Sequence, residues 1–265
     1  MRVIWTGSLS FGLINIPVRL YSGTEDHSLS FTMLHKKDLS PIRFAKICKS
    51  DGKEVAYEDI VKGYEYKSGE YVVISDEEFE KVNLKKTKTI ELQEFTDEAE
   101  IDTILYEKPY FLEPDKGADK AYLILREALR KSKKVGVAKF IFHNREHITI
   151  IKPYENILIL NQLRYFQEIR KPEGLNIPAN DVVSGKEVMM ALKLIEHLSS
   201  HFNPAVYHDT YVDELREFIE TKAKGIKIKT KGKEPKITHV DDIMSLLKES
   251  VEEATKSRNK RNRMA

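Results

Sequence analysis

The 265 residues carry 44 Lys and Arg against 42 Asp and Glu, a net charge of +2, and 41% of them are hydrophobic. That is enough apolar material for one large domain with appendages, while the longest apolar runs, such as 157–160, are far too short to cross a bilayer, so no membrane partner is expected. A single cysteine, Cys48, excludes an internal disulfide framework and a Cys-rich metal cluster and fits a cytoplasmic protein. Charge is unevenly spread: residues 222–265 hold 13 basic and 6 acidic side chains, whereas residues 1–221 hold 31 and 36. Any polyanion site in the body must therefore be a local patch.

The chain opens on two β segments. Val3, Trp5, Leu9 and Phe11 are apolar at odd positions with Thr6, Ser8 and Ser10 between them, the period of a strand with one buried face. From Ile14 the apolar set moves to even positions, Ile14, Ile16, Val18 and Leu20, and this slip requires a bulge or turn that Gly12 can supply. The alternation that follows Arg2 is unlike the continuous apolar run of a signal peptide.

From His27 to Lys53 the chain is irregular and charged. Phe31, Met33, Leu34, Ile42, Phe44 and Ile47 interleave with Lys36, Lys37, Arg43, Lys46, Lys49 and Lys53, opposed only by Asp38 and Asp51. Two readings stand: a thin β arm whose cations hold phosphates, or a solvated hairpin whose lysines block edge pairing. Gly63 to Ile74 reads as a hairpin turning at Ser68-Gly69, and Ser75 to Glu78 as a capping box opening a short helix. Lys85, Lys86 and Lys88 lead into a strand over Thr89 to Phe95, and another is expected over Thr103 to Leu112.

Ala118 to Lys133 has the spacing of an amphipathic helix, with cations toward its last turn where they complement the dipole. Val135 to Phe142, His147 to Ile151 and Asn156 to Leu163 follow as a meander, as expected for a closing barrel. Beyond Arg170 the pattern is helical. A second capping box, Ser184 to Glu187, precedes Val188, Leu192 and Ile195 on one face; Leu215 and Phe218 mark another helix; Val240 to Val251, with Ile243, Met244 and Leu247, mark a third. Lys222 to Lys236 reads as a flexible linker and Lys256 to Arg263 as a disordered basic end.

Few residues carry catalytic signatures. Lys49-Ser50-Asp51-Gly52 matches the Lys-x-Asp-Gly box of ATP-dependent ligases, but Asp-Gly is also simple turn chemistry and no companion nucleotide-binding residues can be assembled. Gly185-Lys186 lacks the glycine and hydroxyl of a phosphate loop. His197 and His201 have the spacing of a zinc pair on a helix, yet Leu198 stands where a zincin carries Glu, so an exposed helix face is the simpler reading. His143 and His147 flank a turn and have no third ligand near them in sequence. No metal, cofactor or catalytic centre is expected.

Several blocks in order resemble bacterial Ku proteins: Ile4 to Val18, Leu34 to Asp38, Asp59 to Glu65, Leu112 to Lys116, Arg145 to His147 and Leu163 to Tyr165. Where some relatives carry Cys-x-x-Cys-Gly this chain has Cys48 to Gly52, which removes a metal-ribbon vestige and places Asp51 at a position that is Cys elsewhere. The resemblance implies a mainly β protein with α: a Ku-type barrel over residues 1–170 with an inserted DNA-encircling bridge at about 22–62. A helical dimerisation arm would span 171–225, and a linker, short helix and basic tail 226–265.

The resemblance also implies a non-enzymatic homodimeric ring on double-stranded DNA ends, nucleoid-associated, that recruits the ATP-dependent DNA ligase D in non-homologous end joining. On this chain the phosphate contacts would fall to Lys36, Lys37, Arg43, Lys46, Lys49, Lys53, Lys62, Lys85, Lys86 and Lys88. Dimerisation would fall to Val188, Leu192, Ile195, Leu215 and Phe218; the apolar stripe with Ile243, Met244 and Leu247, or the adjoining Lys222 to Lys236, is expected to dock the ligase.

Overall fold

A computed structural model describes residues 1–83, 88–143, 145–179, 183–225 and 243–262. They fall into two compact units, Met1–Lys171 and Pro172–Ala265. In the first, Val3–Phe11 (β1) and Ile14–Ser22 (β2) form a hairpin whose turn carries Gly12 at φ 58°, the left-handed conformation such a tight connection needs. Its inward residues, Leu9, Ile16, Val18 and Leu20, are at most 1% exposed, and the Trp5 ring stands edge-on to Phe140 at 6.0 Å. At Gly7 a Cβ would overlap the Trp5 ring and the backbone carbonyl of Lys88.

Lys62–Lys67 (β3) and Glu70–Ile74 (β4) make a separate two-stranded hairpin. Asp76–Asn83 (α1) starts with the expected capping box: Ser75 Oγ accepts from the Glu78 N–H at 3.2 Å, and the Glu78 carboxylate accepts from the Ser75 N–H at 2.9 Å. The remaining elements of the unit are Thr89–Asp97 (β5), Tyr106–Pro114 (β6), Asp119–Ser132 (α2), Lys134–Phe142 (β7), Arg145–Tyr154 (β8) and Ile157–Leu163 (β9). Seven strands close a barrel in the order β1-β2-β6-β9-β8-β7-β5, with every neighbouring pair antiparallel except β1 and β5.

The largest differences from the periodicity are at the start of β6 and at both ends of β8. The strand expected from Thr103 begins at Tyr106, because Asp102 accepts from the Ile104 N–H at 3.0 Å and caps a 3-10 turn over Thr103–Leu105. β8 extends past His147–Ile151 at both ends, since Arg145 and Glu146 pair with Phe142 and Ile141, and Pro153 and Tyr154 with Leu158 and Ile157. Ladder pairing carries these polar and proline positions where alternation gives no signal.

α2 buries Tyr122, Leu125 and Leu129 against the barrel core of Leu9, Ile16, Leu112, Ile151 and Leu158. Each such leucine contributes roughly 1.5–3 kcal/mol by leaving water. The Tyr122 hydroxyl donates to the Leu112 carbonyl at 2.7 Å and accepts from the Leu158 N–H at 2.6 Å, so one side chain ties the helix to β6 and β9. Two cations beside the buried helix face, Arg126 and Arg130, donate to the carbonyls of Asn156 and Glu155 in the β8–β9 turn. β8 is buried on both faces: Ile151 joins the main core, and Ile150 packs with Val135 and Leu163 against Ile101 and Leu105.

The second unit contains Gly185–Leu198 (α3), Thr210–Ala223 (α4) and Ile243–Asn262 (α5). Ser184 and Glu187 form the capping box of α3, and the Asp209 carboxylate accepts from the Val212 N–H at 3.0 Å to cap α4. α3 packs against α5. The half-buried residues of α3 include Met190, Ala191, Leu194 and His197, and those of α5 include Ile243, Met244, Leu247 and Val251.

Three expectations need correction or delimitation here. α5 continues to Asn262 through the end expected to be disordered. Good helix formers and the i,i+4 spacing of Glu252 and Lys256 outweigh the basic composition there. α3 stops at Leu198 with Ser199 as its cap, so His201 lies beyond the helix and the two histidines do not share a helix face. Val240 and most of the expected linker, 226–242, lie outside the described residues. No described helix is long and apolar enough to cross a membrane.

Tyr122→Phe leaves the Leu112 carbonyl and the Leu158 N–H without that partner in a buried site. Urea unfolding is expected to show a loss of about 1–3 kcal/mol, whereas Leu123→Ala, on the exposed face of α2, is expected to change stability little.

Candidate nucleic-acid interface

Both ends of the segment between β2 and β5 are tied to the barrel by backbone bonds. On the outgoing side the Gly23 N–H donates to the Pro109 carbonyl at 3.0 Å; on the return, the Lys88 carbonyl accepts from the Ser8 N–H at 2.9 Å. β2 releases the chain at the end where β1 begins, and β5, parallel to β1, takes it up from that end. Between these roots no side chain from residue 24 to residue 79 is buried, so the arm has no apolar core of its own.

Backbone bonds shape two narrow loops within the arm. In the first, the Ile42 N–H donates to the Met33 carbonyl at 3.0 Å and the His35 N–H to the Ser40 carbonyl at 2.8 Å, which leaves Lys36 and Lys37 at the tip. The Asp38 carboxylate accepts from the Ser40 N–H at 3.1 Å and meets His35 Nδ1 at 3.0 Å. These bonds, that of Ser40 foremost, hold the Asp38 carboxyl below its usual range and keep the tip braced by an anion.

In the second loop, the Cys48 N–H donates to the Lys53 carbonyl and the Val55 N–H to the Lys46 carbonyl, both at 2.8 Å, and the tip is Lys49 to Gly52. Gly52 stands at φ 73° and the Asp51 carboxylate accepts from the Lys53 N–H at 3.2 Å. The Lys-x-Asp-Gly sequence is accounted for by this turn. Beside it the Ser50 hydroxyl, 3.0 Å from Cys48 Sγ, lowers the pKa of the thiol.

Lys36, Lys37, Arg43, Lys46, Lys49, Lys53, Lys62 and Lys88 are all exposed; Lys85 and Lys86 lie outside the described residues. Their states differ. Arg43 pairs with Glu54 at 3.3 Å, Lys53 with Asp51 at 3.6 Å and Lys62 with Asp76 at 2.7 Å. Lys46 lies 4.8 Å from the centre of the Tyr57 ring. Lys36, Lys37 and Lys49 have no ion pair among the described residues. Exposed pairs are weakly held, so the paired cations can exchange a carboxylate for a phosphate, while the tip lysines need no exchange.

The expected dimerisation residues divide between two helices. Val188, Leu192 and Ile195 form an apolar stripe on α3 that is 45–61% exposed, whereas on α4 Leu215 is half-buried and Phe218 is 38% exposed. Ile243, Met244 and Leu247 lie on the half-buried face of α5, and Leu246 beside them is 41% exposed.

Sequence reasoning missed two features. Tyr64, Tyr66 and Tyr71 are each more than half exposed on the β3–β4 hairpin. Next to the outgoing root, a cavity of about 570 Å³ is bounded by Thr24, Tyr110, Phe142 and Arg145, among others. Its walls come from separate strands, so no local motif could mark it; the aromatic content of Phe140 to His143 was the one available signal.

Residues 10–190 match the family model described as the Ku70/Ku80 beta-barrel domain. The chain belongs to the Ku family. Similar proteins include the non-homologous end joining protein Ku of Koribacter versatilis, 38% identical over 99% of this chain and 89% of the relative. Those of Archaeoglobus fulgidus and Bacillus subtilis are 38% and 36% identical, each over 95% of this chain, and cover 99% and 82% of their own lengths. The family match takes in the barrel from the end of β1 onward, the arm and the start of α3.

An arm without a core opens easily. Hydrogen exchange of the free protein is expected to show residues 24–61 nearly unprotected and β7 to β9 protected close to the limit of global unfolding. Uniform protection would mean that the arm is held by contacts beyond those seen here.

Proposed function

We propose that two copies of this chain form a ring that takes up double-stranded DNA ends without regard to sequence, as a non-enzymatic component of non-homologous end joining in the cytoplasm and nucleoid. The observation that carries this reading is the arm: a coreless insertion rooted at one barrel end, with exposed cations at two loop tips. A segment that buries nothing in its own chain gains its stability from what it closes upon. Family membership and the names of the similar proteins support end joining as the setting.

Lysine and arginine contacts to phosphates carry no base information, so binding is sequence-independent and weakens steeply with salt. End preference follows from topology, because a closed ring threads onto a free end and is barred from a covalently closed circle. A mildly acidic body is compatible with this, since charges beyond a Debye length of roughly 8–10 Å are screened while those lining the bore touch phosphate. The exposed stripe of Val188, Leu192 and Ile195, with Leu215 and Phe218, is the surface through which the protomers would join.

The ATP-dependent DNA ligase D is the partner assigned to α5. Ile243, Met244 and Leu247 are half-buried in the unit where α5 packs on α3, so docking through them requires α5 to part from α3 or to offer Leu246 first. Deleting residues 237–265 is expected to abolish ligase stimulation while leaving end binding in place; full stimulation would exclude α5.

The decisive measurement compares one duplex in linear and covalently closed circular form at equal salt and protein concentration. Retention of the linear form alone is expected, and equal retention would leave an ordinary basic surface. Replacing Lys36, Lys37, Arg43 and Lys46 with Ala is expected to weaken linear-DNA binding without dissolving the dimer. The slope of log K against log salt should become shallower by about 0.9 for each phosphate that the variant no longer neutralises.

A further inference from the structure

Beside the outgoing root of the arm lies the cavity of about 570 Å³, inside the range of roughly 300–1,000 Å³ typical of small-ligand sites. One wall is aromatic: the Tyr110 and Phe142 rings meet edge to face at 6.0 Å, and the His143 ring lies 4.0 Å from that of Phe142. Lys108, whose Nζ lies 5.7 Å from the centre of the Tyr110 ring, and Arg145 bring positive charge to the same lining. Flat apolar faces beside cations are what an unpaired base and its phosphate require.

The polar part of the lining is fixed in place. Gln162, 8% exposed, donates from Nε2 to Glu107 Oε2 at 3.0 Å, and its Oε1 accepts from the Tyr110 hydroxyl at 3.4 Å. With both ends of the amide engaged, Gln162 holds the Glu107 carboxylate at the lining by one oxygen and leaves the other to an incoming N–H. A carboxylate accepts from the exocyclic amino group of cytosine, whereas thymine has a carbonyl oxygen at that position and offers the carboxylate only an N3–H set between two carbonyl oxygens that it repels.

We propose that this cavity receives an unpaired nucleotide of a DNA end and prefers cytosine to thymine. The base stacks on the Phe142 ring beside His143, its amino group donates to Glu107, and its phosphate lies toward Lys108. The inference rests on the reading of the arm as a DNA-binding element. Thr24 lines the cavity, and Gly23 is bonded to Pro109, another lining residue, so a strand held by the arm lies next to this opening. That tethering raises the local concentration of a base whose own affinity is low. A free nucleotide lacks it, and with Arg145 already paired to Glu168 the cavity offers no phosphate cradle.

The test uses the full chain and three duplexes of one length: blunt, with a single-stranded cytosine overhang, and with a thymine overhang. Free dCMP serves as a competitor. The cytosine overhang is expected to bind at least about fivefold more tightly than the blunt end, the stacking of one base being sufficient for this. The thymine overhang should fall between them. Lys108→Ala and His143→Ala, both at exposed positions, should bring the ratio of overhang to blunt affinity toward one. Glu107→Gln should erase the difference between cytosine and thymine.

Equal binding of the three duplexes overturns the proposal, as does a weakening in the variants that falls equally on all three, since that is general electrostatics. Competition by dCMP at concentrations comparable to the overhang would also overturn it, by making the cavity a mononucleotide site. Absence of blunt-end binding would instead remove the DNA reading of the arm, a separate failure.

Discussion

An odd number of strands cannot close into a barrel by alternating direction all the way round. With seven strands, one neighbouring pair must be parallel, and here it is β1 and β5. A parallel pair forbids a tight hairpin between its members and demands a long connection. β2 itself, running back to the end where β1 begins, meets that demand, and the chain from Gly23 to Lys88 then has only to step past β1 to reach β5. The arm is therefore far longer than closure requires, and both of its roots stand at one barrel end. Gly7 makes the junction possible, because the Lys88 carbonyl occupies the space a side chain would need.

The same arrangement separates two kinds of stability. The barrel derives its own from α2 lying on strands whose inward residues are fully buried, with the Tyr122 hydroxyl joining helix and sheet. The arm is shaped almost wholly by backbone bonds and by carboxylates that brace each turn, Asp38 in one loop and Asp51 in the other. Local bonds of this kind define where a lysine stands without burying anything. Positive charge is therefore displayed on a scaffold that is defined locally and weakly restrained globally.

Much of the barrel was legible because burial on one face writes a period into a strand. The slip at Gly12, the alternation of β1 and β2 and the stripe of α2 all follow from that. Other features left no such mark. The parity argument needs the strand count and pairing partners, which a period of two cannot supply. The loops of the arm bury neither face, so Leu34 to Pro41 and Ile47 to Glu54 read only as charged and irregular, and Glu54, just past the cationic run, is the residue that pairs with Arg43. The end of α5 looks disordered by composition, yet helix formers and the spacing of Glu252 and Lys256 carry the helix through it. The cavity walls, drawn from β6, β7, β8 and β9, become neighbours only once the barrel has closed.

Because no described side chain of the arm is buried and the arm meets the barrel through a few backbone bonds, its length is nearly decoupled from folding. Doubling a flexible connection adds only about 0.6 kcal/mol of closure entropy. Insertions, deletions and changes of charge between Gly23 and Lys88 can then accumulate while the barrel keeps its sequence constraints. The molecule is divided into a part constrained by packing and a part that is not, and natural variation has an open route through the arm.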